Sequence, residues 1–177
     1  LIKITNKDFA TVSFVSIFVI FAIIAIVFKS ITLPIILVSV IELAIFINMG
    51  IPFYTGATLP FIASVVIGTI QLGATVDYAI LMTNRYKLER SSGKEKHLAA
   101  KDALTATMKS IIVSACTFFG ATFGVGAYSS IDMISSLCLL MARGAVISML
   151  CVICILPAMF VVFDKAIVKG SYKFLDK

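Results

Sequence analysis

Charge is scarce in this sequence. Only 14% of its 177 residues are charged, where a soluble domain carries about 25%. The mean hydropathy is +1.10, and the apolar residues lie in long blocks rather than periodic stripes. Together these exclude an ordinary soluble fold and place the chain in the membrane class. Histidine is nearly missing. His97 stands alone in a polar loop, which rules out a His-based metal site or an H-E-x-x-H hydrolase. No paired intramembrane Asp and no Ser/His combination occurs at depth, so the expectation is a protein that is not an enzyme and needs no cofactor or metal. Cysteine is limited to Cys116, Cys138, Cys151 and Cys154. Cys151 and Cys154 form a C-x-x-C inside "AVISMLCVICILPAMF", without a second pair, so they read as small apolar packing residues. There is no internal repeat. The chain opens on Leu1 with no signal-peptide pattern, which suggests a piece of a longer protein. Net charge is +6, but the basic residues are clustered, and they are not read as a nucleic-acid footprint.

What is present is a series of runs near the length, about 20 apolar residues, that crosses the hydrocarbon as a helix. The expected fold is an all-α, polytopic membrane helix bundle with five transmembrane helices and a cytoplasmic interfacial helix. The spans fall at about 9–28, 31–49, 60–83, 110–128 and 141–163. Pro34 sits in the first turn of the second, where a missing N–H is harmless. "GIPFYTGATLP" reads as a short loop rich in turn residues. Residues 84–109 form a basic loop in which "KEKHLAAKDALTATMK" suits a helix lying at the interface. "SSIDMISSLCLL" is expected to turn back along the surface, and residues 164–177 to form a polar tail.

Orientation follows from lysine and arginine. The loops at 29–30 and 84–109 and the final tail hold twelve of them, while the opposite side holds two, Lys3 and Lys7. The basic side is therefore expected in the cytoplasm, with the N-terminus outside and the C-terminus inside.

Three ionisable residues remain at membrane depth: Glu42, Asp77 and Arg143. An Asp at a helix centre disfavours insertion by ~2.5–3.5 kcal/mol. Asp77 lies about 9 Å from the span end at Thr83, too deep for a short side chain to snorkel, so proton exchange is the favoured role. The competing reading is an interfacial acid paired with Asn84 or Arg85. Thr69, Gly73 and Asp77 share one helical face, and Gly73 leaves room beside the carboxylate for water or another helix. Tyr78 adds a hydroxyl. Ser114 and Thr117 either line a polar path beside Asp77 or bond back to their own helix. Glu42 either joins such a path or faces a polar crevice. Arg143 either snorkels to headgroups or pairs with Asp132 or another domain. Gly120 and Gly124 form a G-x-x-x-G suited to close helix contact.

The stretch "GATVDYAILMTNRY" resembles the Asp–Tyr helix motif of the RND superfamily, in particular its MMPL branch. "FKSITLPIILVSV", "MGIPFYTG" and "ARGAVISMLCVICILPAMF" resemble further family segments in the right order, covering almost the whole chain. The resemblance implies helices two to six of one half of a two-half exporter. Such an exporter uses the proton gradient to move lipids or other hydrophobic compounds across a bacterial-type plasma membrane. It implies a proton relay at Asp77 and Tyr78. It also implies three partners: membrane lipids, a hydrophobic substrate and a second transmembrane half. The nearest alternative is a non-transporting lipid-sensing or scaffold module resembling a sterol-sensing domain.

Overall fold

The computed structural model describes the backbone of residues 2–56 and 63–170, with side chains described within 11–56, at 63 and within 66–169. Among the described residues the chain forms five helices and no strand: α1 (Ile2–Phe28), α2 (Thr32–Thr55), α3 (Ala63–Ser91), α4 (Lys96–Tyr128) and α5 (Asp132–Gly170). Each contains a stretch long and apolar enough to cross a membrane. The expected five-span helical bundle is therefore what the sequence forms.

The turns explain how the rods reverse. Lys29 closes α1 in the left-handed conformation, with φ 49°, and the Ser30 hydroxyl accepts from the Leu33 N–H at the start of α2. α2 ends at Gly56, whose φ of 66° suits glycine and whose N–H donates to the Pro52 carbonyl. Gly93, with φ 86°, makes the bend between α3 and α4. There the N–H groups of Ser92, Gly93 and Lys94 donate back to carbonyls of the last α3 turn. Between α4 and α5 only residues 129–131 intervene. The Ser135 hydroxyl bonds the Gly126 carbonyl at 2.6 Å. A Cβ on Gly126 would sit 2.9 Å from Leu139 Cγ, so α5 presses on the α4 backbone.

Three expected boundaries differ. The stretch after Met49 is not yet loop, because α2 continues through Gly50 and Pro52 to Thr55; residues 57–62 lie outside the described part. The residues expected as a separate interfacial helix are the opening turns of one 33-residue α4. Ala99, Ala100, Ala103 and Thr107 bury one stripe of these turns at helical spacing, which holds them in register with the apolar part. Residues 132–140 do not turn back along a surface but begin the 39-residue α5.

α3 packs against all four other helices, and α5 against α2, α3 and α4. The core between them is apolar, with Ile24, Leu33, Leu37, Ile41, Met82, Val152 and Leu156 at 2% exposure or less. At the end carrying the basic loops, Tyr86 stacks on Phe160 with ring centroids 4.7 Å apart. Its hydroxyl donates to Asp164 at 2.6 Å. Arg90 grips the same carboxylate with two bonds of 2.9 and 2.8 Å. α3 and α5 are thus tied at that end by a bidentate pair whose carboxylate is buried and whose guanidinium is half-buried. Lys94, in the turn beyond, bridges Asp102 and Glu89, and these carboxylates hold its ammonium above the ordinary lysine range.

Candidate functional site: a hydroxyl-lined groove and a buried amide network

Asp77 opens onto the bundle surface in a groove of about 720 Å³ between α3 and α4. α3 contributes Ala74, Asp77, Tyr78 and Leu81; α4 contributes Ser110, Ser114, Thr117 and Ala121 among others. The four α4 positions are spaced by four, three and four, so they form a single stripe facing the acid. Small residues on both walls keep the groove open. The Thr117 hydroxyl donates to the Val113 carbonyl at 2.8 Å, so it bonds back to its own helix while still lining the groove. Ser110 and Ser114 make no such bond among the described residues.

The structure therefore brings together Asp77, Tyr78, Ser114 and Thr117. It adds Ser110, whose only sequence signal is its place four residues before Ser114. Tyr78 is buried, at 7% exposure, while Asp77 is exposed. Consecutive helix positions point about 100° apart, and no hydrogen bond joins the two side chains. Gly73, one turn before Asp77, is exposed, and a Cβ there would meet nothing within 4 Å. The face carrying Gly73 and Asp77 is thus uncovered by the described helices. Glu42 is not part of this lining. It is half-buried in mid-α2, without a hydrogen bond or ion pair among the described residues.

Gly120 and Gly124 do not make the expected close contact within the bundle, for a Cβ on either meets nothing within 4 Å. The tight glycines are Gly126 and Gly144. A Cβ on Gly144 would lie 2.6 Å from Asn48 Nδ2 and 2.7 Å from Gln71 Oε1.

Those two amides belong to a polar network that the sequence reading missed. Asn48 is fully buried and Gln71 is 4% exposed. Asn48 Nδ2 donates to Gln71 Oε1 at 2.8 Å and to the Leu140 carbonyl at 3.2 Å. Gln71 Nε2 donates to Ser148 Oγ at 2.9 Å. Arg143 completes the set: its head turns inward to Asn48, and no ion pair with Asp132 forms among the described residues. Nε donates to Asn48 Oδ1 at 2.9 Å and Nη2 to the Asn48 carbonyl at 2.8 Å. The physical reason lies four residues further along α2. Pro52 has no N–H, so the Asn48 carbonyl lacks its helical donor. Arg143 supplies one. The spacing of Asn48 and Pro52 was the available signal.

Five apolar rods around an internal polar network, with one carboxylate opening into a groove, define a multi-pass membrane protein. The chain belongs to the MMPL family, whose family model matches residues 1–173. It is also similar to ActII-3 of Streptomyces coelicolor, named as a membrane protein, at 27% identity over 110 residues. That match takes up 62% of this chain and 15% of the relative, so this chain spans a small part of the relative's length.

Proposed function

We propose that this chain is the transmembrane portion of a proton-motive-force-driven RND/MMPL-type exporter of lipids or other hydrophobic compounds. The reading is of transport, without covalent chemistry on the substrate. One observation carries it: Asp77, the one charged side chain lining the groove, faces a stripe of hydroxyls across it. A buried or membrane-level carboxylate is costly, and water or hydroxyls beside it offer a route for protons. In this reading Asp77 takes up a proton and loses its charge. The helices around it then repack and pass the motion to substrate-handling parts elsewhere in the full protein. Tyr78 supplies a further hydroxyl in the same groove. Ser110, Ser114 and Thr117 orient the water that reaches the acid. The uncovered Gly73–Asp77 face packs against a second transmembrane half. The basic end lies in the cytoplasm of a bacterial-type plasma membrane, with the N-terminus outside and the C-terminus inside, as the lysine and arginine bias supports.

The test is export by the full-length protein in vesicles carrying an imposed pH gradient. Asp77→Asn should insert and fold normally but lose gradient-driven export. Parent-level export by that variant would reject the proton-carrier role.

A further inference from the structure

Arg143 has more hydrogen-bonding capacity than the bundle uses. Its Nε–H and one Nη2 hydrogen are committed to Asn48. The second Nη2 hydrogen and both on Nη1 have no partner among the described residues. Its charge is equally unmet, because no ion pair of the described residues includes it. Residues 57–62, outside the described part, read "ATLPFI" and hold no acid. Along α5 the next acid is Asp132, about 16 Å away. The guanidinium cannot swing off to find a counter-charge, since Asn48 holds it by side chain and main chain. Asn48 is itself fixed by Gln71 and Leu140.

The surroundings on its own helix are apolar. Leu139, one turn before, and Val146, one turn after, are both exposed, and Leu150 continues the strip a turn further. An anchored cation with free N–H donors thus stands on an exposed apolar strip, near the end of the bundle where α5 begins. An arginine fork matches phosphate oxygens in geometry and charge, and acyl chains match the strip. We propose that Arg143 binds the anionic phosphate headgroup of a membrane lipid, whose acyl chain runs inward along Val146 and Leu150. The lipid would complete the guanidinium's hydrogen bonds and neutralise its charge, and the Asn48 clamp makes the site pre-formed.

Native mass spectrometry of the purified full-length protein, titrated with phosphatidylglycerol or phosphatidylcholine, tests this. The parent protein should prefer the anionic lipid by about tenfold, as expected for charge-assisted bonds. Arg143→Gln should remove the preference. Leu139→Glu keeps Arg143 and its Asn48 bonds but supplies a carboxylate four residues away, and it too should remove the preference with helical content unchanged by circular dichroism. Equal binding of the two lipids by the parent, or an undiminished preference in the Leu139→Glu variant, would overturn the proposal. So would loss of the preference on adding millimolar inorganic phosphate, which would mark a site for free anions. Zero-length cross-linking of Arg143→Lys to a carboxylate elsewhere in the full chain would assign the charge to a protein partner instead.

Discussion

Asn48 uses every polar atom it has, and this explains which neighbours tolerate change. Its amide meets Gln71 and Leu140, and its two oxygens meet Arg143. Gly144 is where the network leaves no space. Gly144→Ala should destabilise the protein by about 1–3 kcal/mol, since the new Cβ forces both amides aside. Gly120→Ala, with nothing within 4 Å of the added carbon, should be neutral or stabilise by up to about 1 kcal/mol from helix propensity. Thermal unfolding of both variants in one detergent checks the contrast; equal losses would mean that Gly144 is not tightly enclosed. At the other end, Asp164→Asn removes the acceptor charge gripped by Arg90 and should cost about 3–5 kcal/mol. The same melting experiment reads it, and an unchanged midpoint would show the pair to be dispensable. Sequence made Asp77 visible because a charge at depth stands out against apolar neighbours. It hid Asn48 and Gln71, because neutral amides look unremarkable until another helix brings partners to them.

Helix identity was legible from the apolar blocks, since about 20 such residues in lipid can satisfy their backbone only as a helix. Helix ends were not. Proline and glycine at 50–52 suggested a loop, yet Pro52 is tolerated because Arg143 replaces the hydrogen bond it removes. The polar opening of α4 suggested a separate helix, yet an alanine stripe buries it against the bundle. Amide hydrogen exchange should therefore show unbroken protection from Ala103 through Ala115. A gap of fast exchange near Met108 would mean two helices joined by a hinge.

For the whole molecule, the orientation reading gives a direct test. With native cysteines removed, a cysteine at Ser92 should resist an impermeant thiol reagent in intact cells, and one at Gly56 should react. The reverse result would invert the topology. The uncovered Gly73–Asp77 face gives another. Gly73→Leu in the full-length protein should weaken cross-linking between transmembrane halves while leaving membrane insertion intact; unchanged cross-linking would turn that face toward lipid. The groove's two walls were partly legible, through the spacing of Ser114 and Thr117. Their meeting with Asp77 stood as one of two alternatives, because it depends on how α4 leans on α3.

The unbroken length of α4 has a mechanical meaning. Its 33 residues make a rod about 50 Å long, against about 30 Å of hydrocarbon. The hydroxyl stripe sits near the middle, and roughly 20–30 Å of stiff helix separates it from Lys96. In the proposed transport reading the rod would act as a lever with its fulcrum at the groove. A tilt of about 5° there would move the far end by about 2 Å, enough to break the contact of Lys96 with the Val161 carbonyl on α5. A change of charge on one membrane-level acid would then be felt as displacement at the basic end, with no flexible joint to absorb it.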